Sequence, residues 1–222
     1  MTSSIRLGTF VASPNFRHPA AFSREVQTLA DISDDRLMVG LGVGGSPDSH
    51  ILGQPDLSVR QRVDRFQEFV GVLDETLRND HVSVDGEYFS TRDMRLVGGE
   101  VRSRVPLILA GNGPRSVRFA ARHGDGWVTT GSPADTVDEW FAGVAANYER
   151  VREAAQGRPI ATYLAIDFAP TSPLSSVAAF DDLAGRAAAI GFSDLIVHWP
   201  RDAEPYLGDV AVLEELAARG LE

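Results

Sequence analysis

The chain has no cysteine, which excludes disulfides, thiolate nucleophiles and cysteine-ligated metal centres without fixing the redox compartment. Positive charge is scarce: 21 Lys and Arg stand against 31 Asp and Glu, a net charge of −10. That sign repels nucleic-acid backbones and anionic lipid surfaces, so neither is expected as a partner. No apolar run reaches the roughly 18 residues of a membrane span. The opening "MTSSIRLGTFVAS" lacks the charged start and long apolar stretch of a secretion signal. A cytoplasmic protein is the expectation. The five histidines, His18, His50, His81, His123 and His198, form no i, i+4 pair, and no metal site is expected. No serine sits in G-x-S-x-G, which weakens a hydrolase reading.

What is present is a repeated β then α pattern. Short apolar runs at 5–12, 37–43, 105–111, 126–131, 161–168 and 194–199 read as strands of a parallel sheet buried on both faces. Helical periodicity fills the intervals. Phe22, Val26, Leu29 and Ile32 make one stripe over 19–33, opened by Pro19, and Val59, Val63, Phe66, Val70, Leu73 and Leu77 make another over 58–78, with Ser58 as N-cap. Further helices are expected over 114–124, 132–155, 176–191 and 209–220. Gly124, Gly191 and Gly220 stand where left-handed C-caps would close three of them. The segment 81–104 breaks the alternation and reads as an extended insert or hairpin. The expectation is a single α/β domain over 1–222 with about six βα units. That number fits either an open doubly wound sheet or a barrel short of its usual eight.

Three glycine-bearing stretches follow strands: "GLGVGGSPDS" at 40–49, "AGNGPRS" at 110–116 and "TTGSPADT" at 129–136. Parallel folds bind ligands at that edge, where helix N-termini present free N–H groups. Gly44, Gly45 and Ser46 could admit a phosphate or a flat ring to the backbone, or simply allow close packing. Gly111, Asn112 and Gly113 lead into Pro114 at a helix start, the stronger anion cradle of the two. His198 and Trp199 close the last apolar run, in position to touch substrate or to serve in packing and capping. Asp125 in "HGDGW" could act as a carboxylate or fix a turn.

Four ordered blocks carry a resemblance. They are "LGTFVASPNFRHPAAFSREVQTLADISDDRLMVGLGVGG", "RVDRFQEFVGVLDETL", "DGEYFS" and "PLILAGNGPRSVRFAARHGDGWVTTG". They resemble the bacterial-luciferase-like flavin-dependent oxidoreductases, in the branch that uses the deazaflavin coenzyme F420. The resemblance implies a (β/α)8 TIM barrel, here incomplete, with the cofactor at the C-terminal mouth of the strands. It implies a non-prolyl cis peptide in "TFV", which implicates Phe10 and Val11, and cofactor contacts from Gly44, Gly45 and Ser46 opposite Gly111, Asn112 and Gly113. His198 and Trp199 are the expected substrate contacts.

The same resemblance shows two departures. Two βα units that the family places before the strand at 5–12 have no counterpart, and with them goes the family's histidine at the reacting carbon. The family's acid falls near Pro47, beside Asp48, so the catalytic residue is unassigned. A missed upstream start, a second copy or partner chain that completes the barrel, and a degenerate fragment each account for the shortening. The functional expectation is hydride transfer between coenzyme F420 and a small organic substrate. The alternatives are an FMN-dependent monooxygenase, a non-catalytic flavin-binding or subunit-like protein, and an unrelated doubly wound nucleotide-binding protein.

Overall fold

A computed structural model describes residues 3–96, 104–203 and 206–219. The chain divides into two compact units, Met1–Ala110 and Gly111–Glu222. In the first unit, β1 (Leu7–Ala12), β2 (Leu37–Leu41) and β5 (Leu107–Ala110) run parallel in that order. Helices α1 (Pro19–Ile32) and α3 (Val59–Arg78) pack together. Their shared core holds Phe22 and Val26 from α1, Phe66, Phe69 and Leu73 from α3, and Val39 and Leu41 from β2, all buried. Both expected helix starts are present. Pro19 opens α1, and Ser58 caps α3 in a reciprocal pair with Gln61, which satisfies two N–H groups that the helix cannot reach. His18, the unexpected cap of α1, accepts from the Ala20 N–H at 3.3 Å.

The excursion is a hairpin of β3 (Val82–Asp85) and β4 (Ser90–Met94), antiparallel. Residues 97–103 of the expected insert lie outside the described residues. The hairpin turn is held from α3: the Glu68 carboxylate accepts the backbone N–H groups of Glu87, Tyr88 and Phe89 at 3.1, 2.9 and 2.6 Å.

In the second unit β6 (Gly126–Thr129), β7 (Ala161–Ala165) and β8 (Asp194–Ile196) are parallel. They alternate with α4 (Pro114–His123), α5 (Val137–Ala155), α6 (Val177–Ile190) and α7 (Val210–Ala218). Trp127, Trp140, Val144, Leu164 and Leu183 form its core. Gly191 closes α6 at φ 113°, the left-handed cap that the sequence leads one to expect. Gly124 does not behave that way: at φ −86° and ψ 155° it is extended, because the chain passes straight from α4 into β6. Gly220 lies outside the described residues. All six strands are shorter than their apolar runs, and β8 ends at Ile196, two residues before His198.

Candidate functional site

In the first unit the glycine run meets β1 rather than open space. The Phe10–Val11 peptide is cis, and the register of β1 on β2 shifts between Thr9 and Ala12. Gly40, Gly42 and Gly44 face this bulge. A Cβ on Gly40 would overlap the Thr9 carbonyl oxygen, and one on Gly42 the Val11 side chain. One on Gly44, itself at φ 80°, would lie 2.6 Å from Asn15 Nδ2. The backbone of the next residue is also engaged: the Gly45 N–H donates to Asp48 Oδ2 at 3.1 Å and its carbonyl accepts from Asn15 Nδ2 at 2.8 Å. Ser46 then opens a helix that the glycine pattern conceals, α2 (Ser46–Ile51). Phe10 and Val11 remain 42% exposed each, apolar faces at the end of β1.

Behind this loop stand two arginines of α3. Arg62 Nη1 donates to the Gly44 carbonyl at 3.3 Å and Arg65 Nη2 donates to Asn15 Oδ1. The Nε–H of each is buried with no acceptor among the described residues. Burial is the largest influence on the Arg65 guanidinium and pulls its pKa down; Tyr88 opposes this and Arg62 adds to it. Arg65, Arg17, His18, Gln54 and Tyr88 line a cavity of about 720 Å³ together with Glu87. Burial pushes the Tyr88 phenol up, and the neighbouring carboxylates, Glu87 foremost, add to it.

In the second unit Gly111, Asn112 and Gly113 join the start of α4 to the ends of β6 and its loop. The Gly111 N–H donates to the Val128 carbonyl at 3.0 Å, and its own carbonyl accepts from Trp127 Nε1 at 2.8 Å. A Cβ there would press on Ser116 at 2.8 Å, so this glycine serves close packing of helix on strand. The Asn112 amide bridges Thr129 Oγ1 at 2.7 Å and Thr130 Oγ1 at 2.8 Å. Gly113 is different. It is the N-cap of α4, no side chain caps the helix there, and a Cβ on it would meet nothing within 4 Å. The helix therefore starts at a glycine with open space beside it, and that end carries the positive pole of the helix dipole.

His198 lies beyond β8 with a partner that sequence reading missed. Asp167, in a single 3-10 turn after β7 (Ile166–Phe168), accepts the His198 backbone N–H and contacts ring Nδ1, both at 2.8 Å and both through Oδ2. The imidazole stacks on Tyr206, with centroids 3.9 Å apart, and meets the edge of Phe168. Trp199 is 69% exposed. Asp125 lends its carbonyl to the Ala161 N–H, and His123 stacks on Phe119 at the end of α4. Among the described residues no cluster of metal-ligating side chains exists, and no helix is long and apolar enough to cross a membrane.

Comparisons with known proteins bear on what these residues do. The family model described as luciferase-like monooxygenase matches residues 1–205. An F420-dependent glucose-6-phosphate dehydrogenase of Beutenbergia cavernae is 33% identical over 130 residues, covering 58% of this chain and 38% of that protein. An F420-dependent hydroxymycolic acid dehydrogenase of Mycobacterium tuberculosis is 32% identical over 128 residues, 57% of this chain and 35% of that one. The chain thus spans well under half the length of the curated relatives it matches. Among solved structures, an F420-dependent secondary alcohol dehydrogenase in complex with an F420-acetone adduct superposes with a TM-score of 0.68 at 17% identity, covering 86% of this chain and 72% of that one. A monooxygenase from Streptomyces bottropensis gives 0.64 at 20%, covering 85% and 56%. Those likenesses show the fold, α/β and an incomplete (β/α)8 barrel.

Proposed function

The chain belongs to the luciferase-like monooxygenase family, and we propose that it is an oxidoreductase that binds coenzyme F420 and serves hydride transfer to or from a small organic substrate. The geometric observation that supports this reading is the uncapped start of α4 at Gly113. It suits the phosphate of a flavin or deazaflavin, because the helix dipole favours an anion and the bare glycine leaves room for one. All 21 cationic side chains are arginine, so a phosphate here meets backbone and guanidinium rather than lysine. The choice of F420 over FMN follows the relatives, both of which are named F420-dependent.

The proposed cofactor contacts are Phe10, Val11, Gly44, Gly45 and Ser46 in the first unit, and Gly111, Asn112 and Gly113 in the second. In the second unit Asn112 fixes the loop and Gly113 admits the anion. In the first unit the exposed faces of Phe10 and Val11 offer apolar surface to a ring. When bound, the deazaflavin supplies a two-electron hydride acceptor or donor, and the protein supplies orientation and exclusion of water. His198 and Trp199 are the proposed substrate contacts. We read residues 1–222 as one barrel domain with the hairpin segment, about 81–104, as its insert; upstream residues, a second copy or a partner chain would supply the strands that the barrel lacks.

A paired titration of the purified chain with F420 and with FMN tests the cofactor. F420 is expected to bind at least about tenfold more tightly, a difference of about 1.4 kcal/mol. Tighter FMN binding with oxygen consumption would favour the monooxygenase reading, and a folded chain that binds neither would overturn the proposal for this chain. Gly113→Asp separates binding from folding. Aspartate is a good N-cap, so thermal stability should hold or rise while its charge expels the phosphate and weakens F420 by more than about tenfold.

A further inference from the structure

The pairing of Asp167 with His198 has a chemical consequence that depends on which atoms meet. One carboxylate oxygen, Oδ2, takes both the His198 backbone N–H and the ring Nδ1, each at 2.8 Å. An ionised carboxylate only accepts. Nδ1 must therefore carry the hydrogen, and in the neutral ring Nε2 is left with its lone pair. The ring cannot turn to exchange the two nitrogens, because Tyr206 stacks at 3.9 Å with planes 19° apart and Phe168 stands edge-on at 6.4 Å. Arg201 lies over the Tyr206 ring, 5.5 Å from its centroid, and holds that stack in turn.

Exposure runs along the pair. The Asp167 side chain is 10% exposed and that of His198 35%, so the buried end is the carboxylate and the open end is imidazole. Nε2 has no partner among the described residues. Phe168, whose ring meets the imidazole at 6.4 Å, is 48% exposed, and the residue after His198, Trp199, is 69% exposed. An acceptor atom flanked by uncovered aromatic surface, just past the ends of β7 and β8, has the character of a ligand subsite.

We propose that His198 Nε2, held as a lone-pair acceptor by Asp167, recognises the hydroxyl of a small alcohol whose carbon body packs on Phe168 and Trp199. A hydroxyl donates to this atom. A ketone of the same shape brings a lone pair against a lone pair and is disfavoured. Asp167 is then a positioning residue and His198 the contact. This subsite deepens the oxidoreductase reading and rests on it for the meaning of the alcohol, but its existence is measurable without any cofactor.

Long-range nitrogen–proton correlation spectra of the 15N-labelled chain report the tautomer of His198 directly, at a pH where the ring is neutral. The Nδ1–H form is expected in the wild type. Asp167→Asn should keep it, since the amide oxygen must still face the His198 backbone N–H and so also faces Nδ1. Asp167→Ala should release the ring to the Nε2–H form that a free imidazole prefers. Cyclohexanol and cyclohexanone, titrated while following the His198 and Trp199 signals, should differ by about fivefold in favour of the alcohol, the worth of one neutral hydrogen bond. That preference should survive in Asp167→Asn and disappear in Asp167→Ala. An Nε2–H wild type, or a ketone bound as tightly as the alcohol, overturns the proposal. An intact tautomer and alcohol preference in a chain that binds neither F420 nor FMN would remove the oxidoreductase reading and leave the subsite standing.

Discussion

Gly40, Gly42 and Gly44 alternate along β2 and the loop after it; the first two yield their side-chain space to the bulged end of the first unit's β1, and Gly44 yields its own to Ser13 and Asn15 just beyond it. Glycine weakens a strand unless another backbone comes close; here Thr9, Val11 and Asn15 come close. Gly40→Ala should therefore destabilise the fold by about 1–3 kcal/mol, as overpacking does, and lower the thermal midpoint. Gly71→Ala is the counterpart: it lies inside α3 with nothing within 4 Å of a new Cβ, and should stabilise by about 0.5–1 kcal/mol. Equal midpoints for the two variants would refute this account of the run. The glycines themselves were legible as a site of close approach, but what approaches was not, because it comes from residues about 30 positions earlier. Asp167 was illegible for another reason. It sits inside the apolar run at 161–168, and a strand reading takes such a residue as a passenger until the 3-10 turn is seen.

Elements announced themselves through their ends more than their middles. Ser58 as N-cap, and Pro19 and Pro114 at first turns, were readable because capping is local chemistry, while the return bond from Gln61 came with the structure. The six-residue α2 was not, since it is too short to show a periodic stripe and begins directly after glycine. The β3–β4 hairpin was readable from its alternation and Asp-Gly pair, yet its anchor came from a different element. Glu68 accepts three backbone N–H groups of the turn, so Glu68→Ala leaves those donors without a partner. The expected cost is about 1–3 kcal/mol, seen as faster hydrogen exchange at Glu87, Tyr88 and Phe89 than elsewhere in the first unit. Uniform protection across the variant would refute it. Alkali should act on the same turn. Burial first, and then the carboxylates led by Glu87, push the Tyr88 phenol up. A group raised on folding contributes stability that is whole below its unfolded pKa and is lost as pH rises through the folded one. The ultraviolet difference between wild type and Tyr88→Phe should therefore show the Tyr88 phenol ionising above a free tyrosine, and Tyr88→Phe should blunt the alkaline loss of stability.

A parallel α/β fold was readable because the strands of such a sheet are apolar on both faces, a pattern that needs no partner to recognise, whereas the choice of a barrel came from the resemblance. What a strand lacks on its outer side is not written in its own residues. β1 pairs with β2, and among the described residues of the first unit no strand pairs with its other side, while Leu7, Phe10 and Val11 are each more than 40% exposed. A free edge with apolar side chains recruits another strand. The net charge of −10 opposes that recruitment by repulsion between copies. Two consequences follow from the balance. Sedimentation velocity should show the chain associating as concentration rises, and added salt should strengthen association by screening the repulsion, opposite to what ion-pair contacts would do. Leu7→Lys places a solvated charge on the edge, the device by which strands avoid pairing, and should move association to roughly tenfold higher concentration, about 1.4 kcal/mol. A chain that sediments as a monomer at every concentration and salt would show that the edge is already covered from within. Association weakened by salt would place the contact on charged surface instead of on β1.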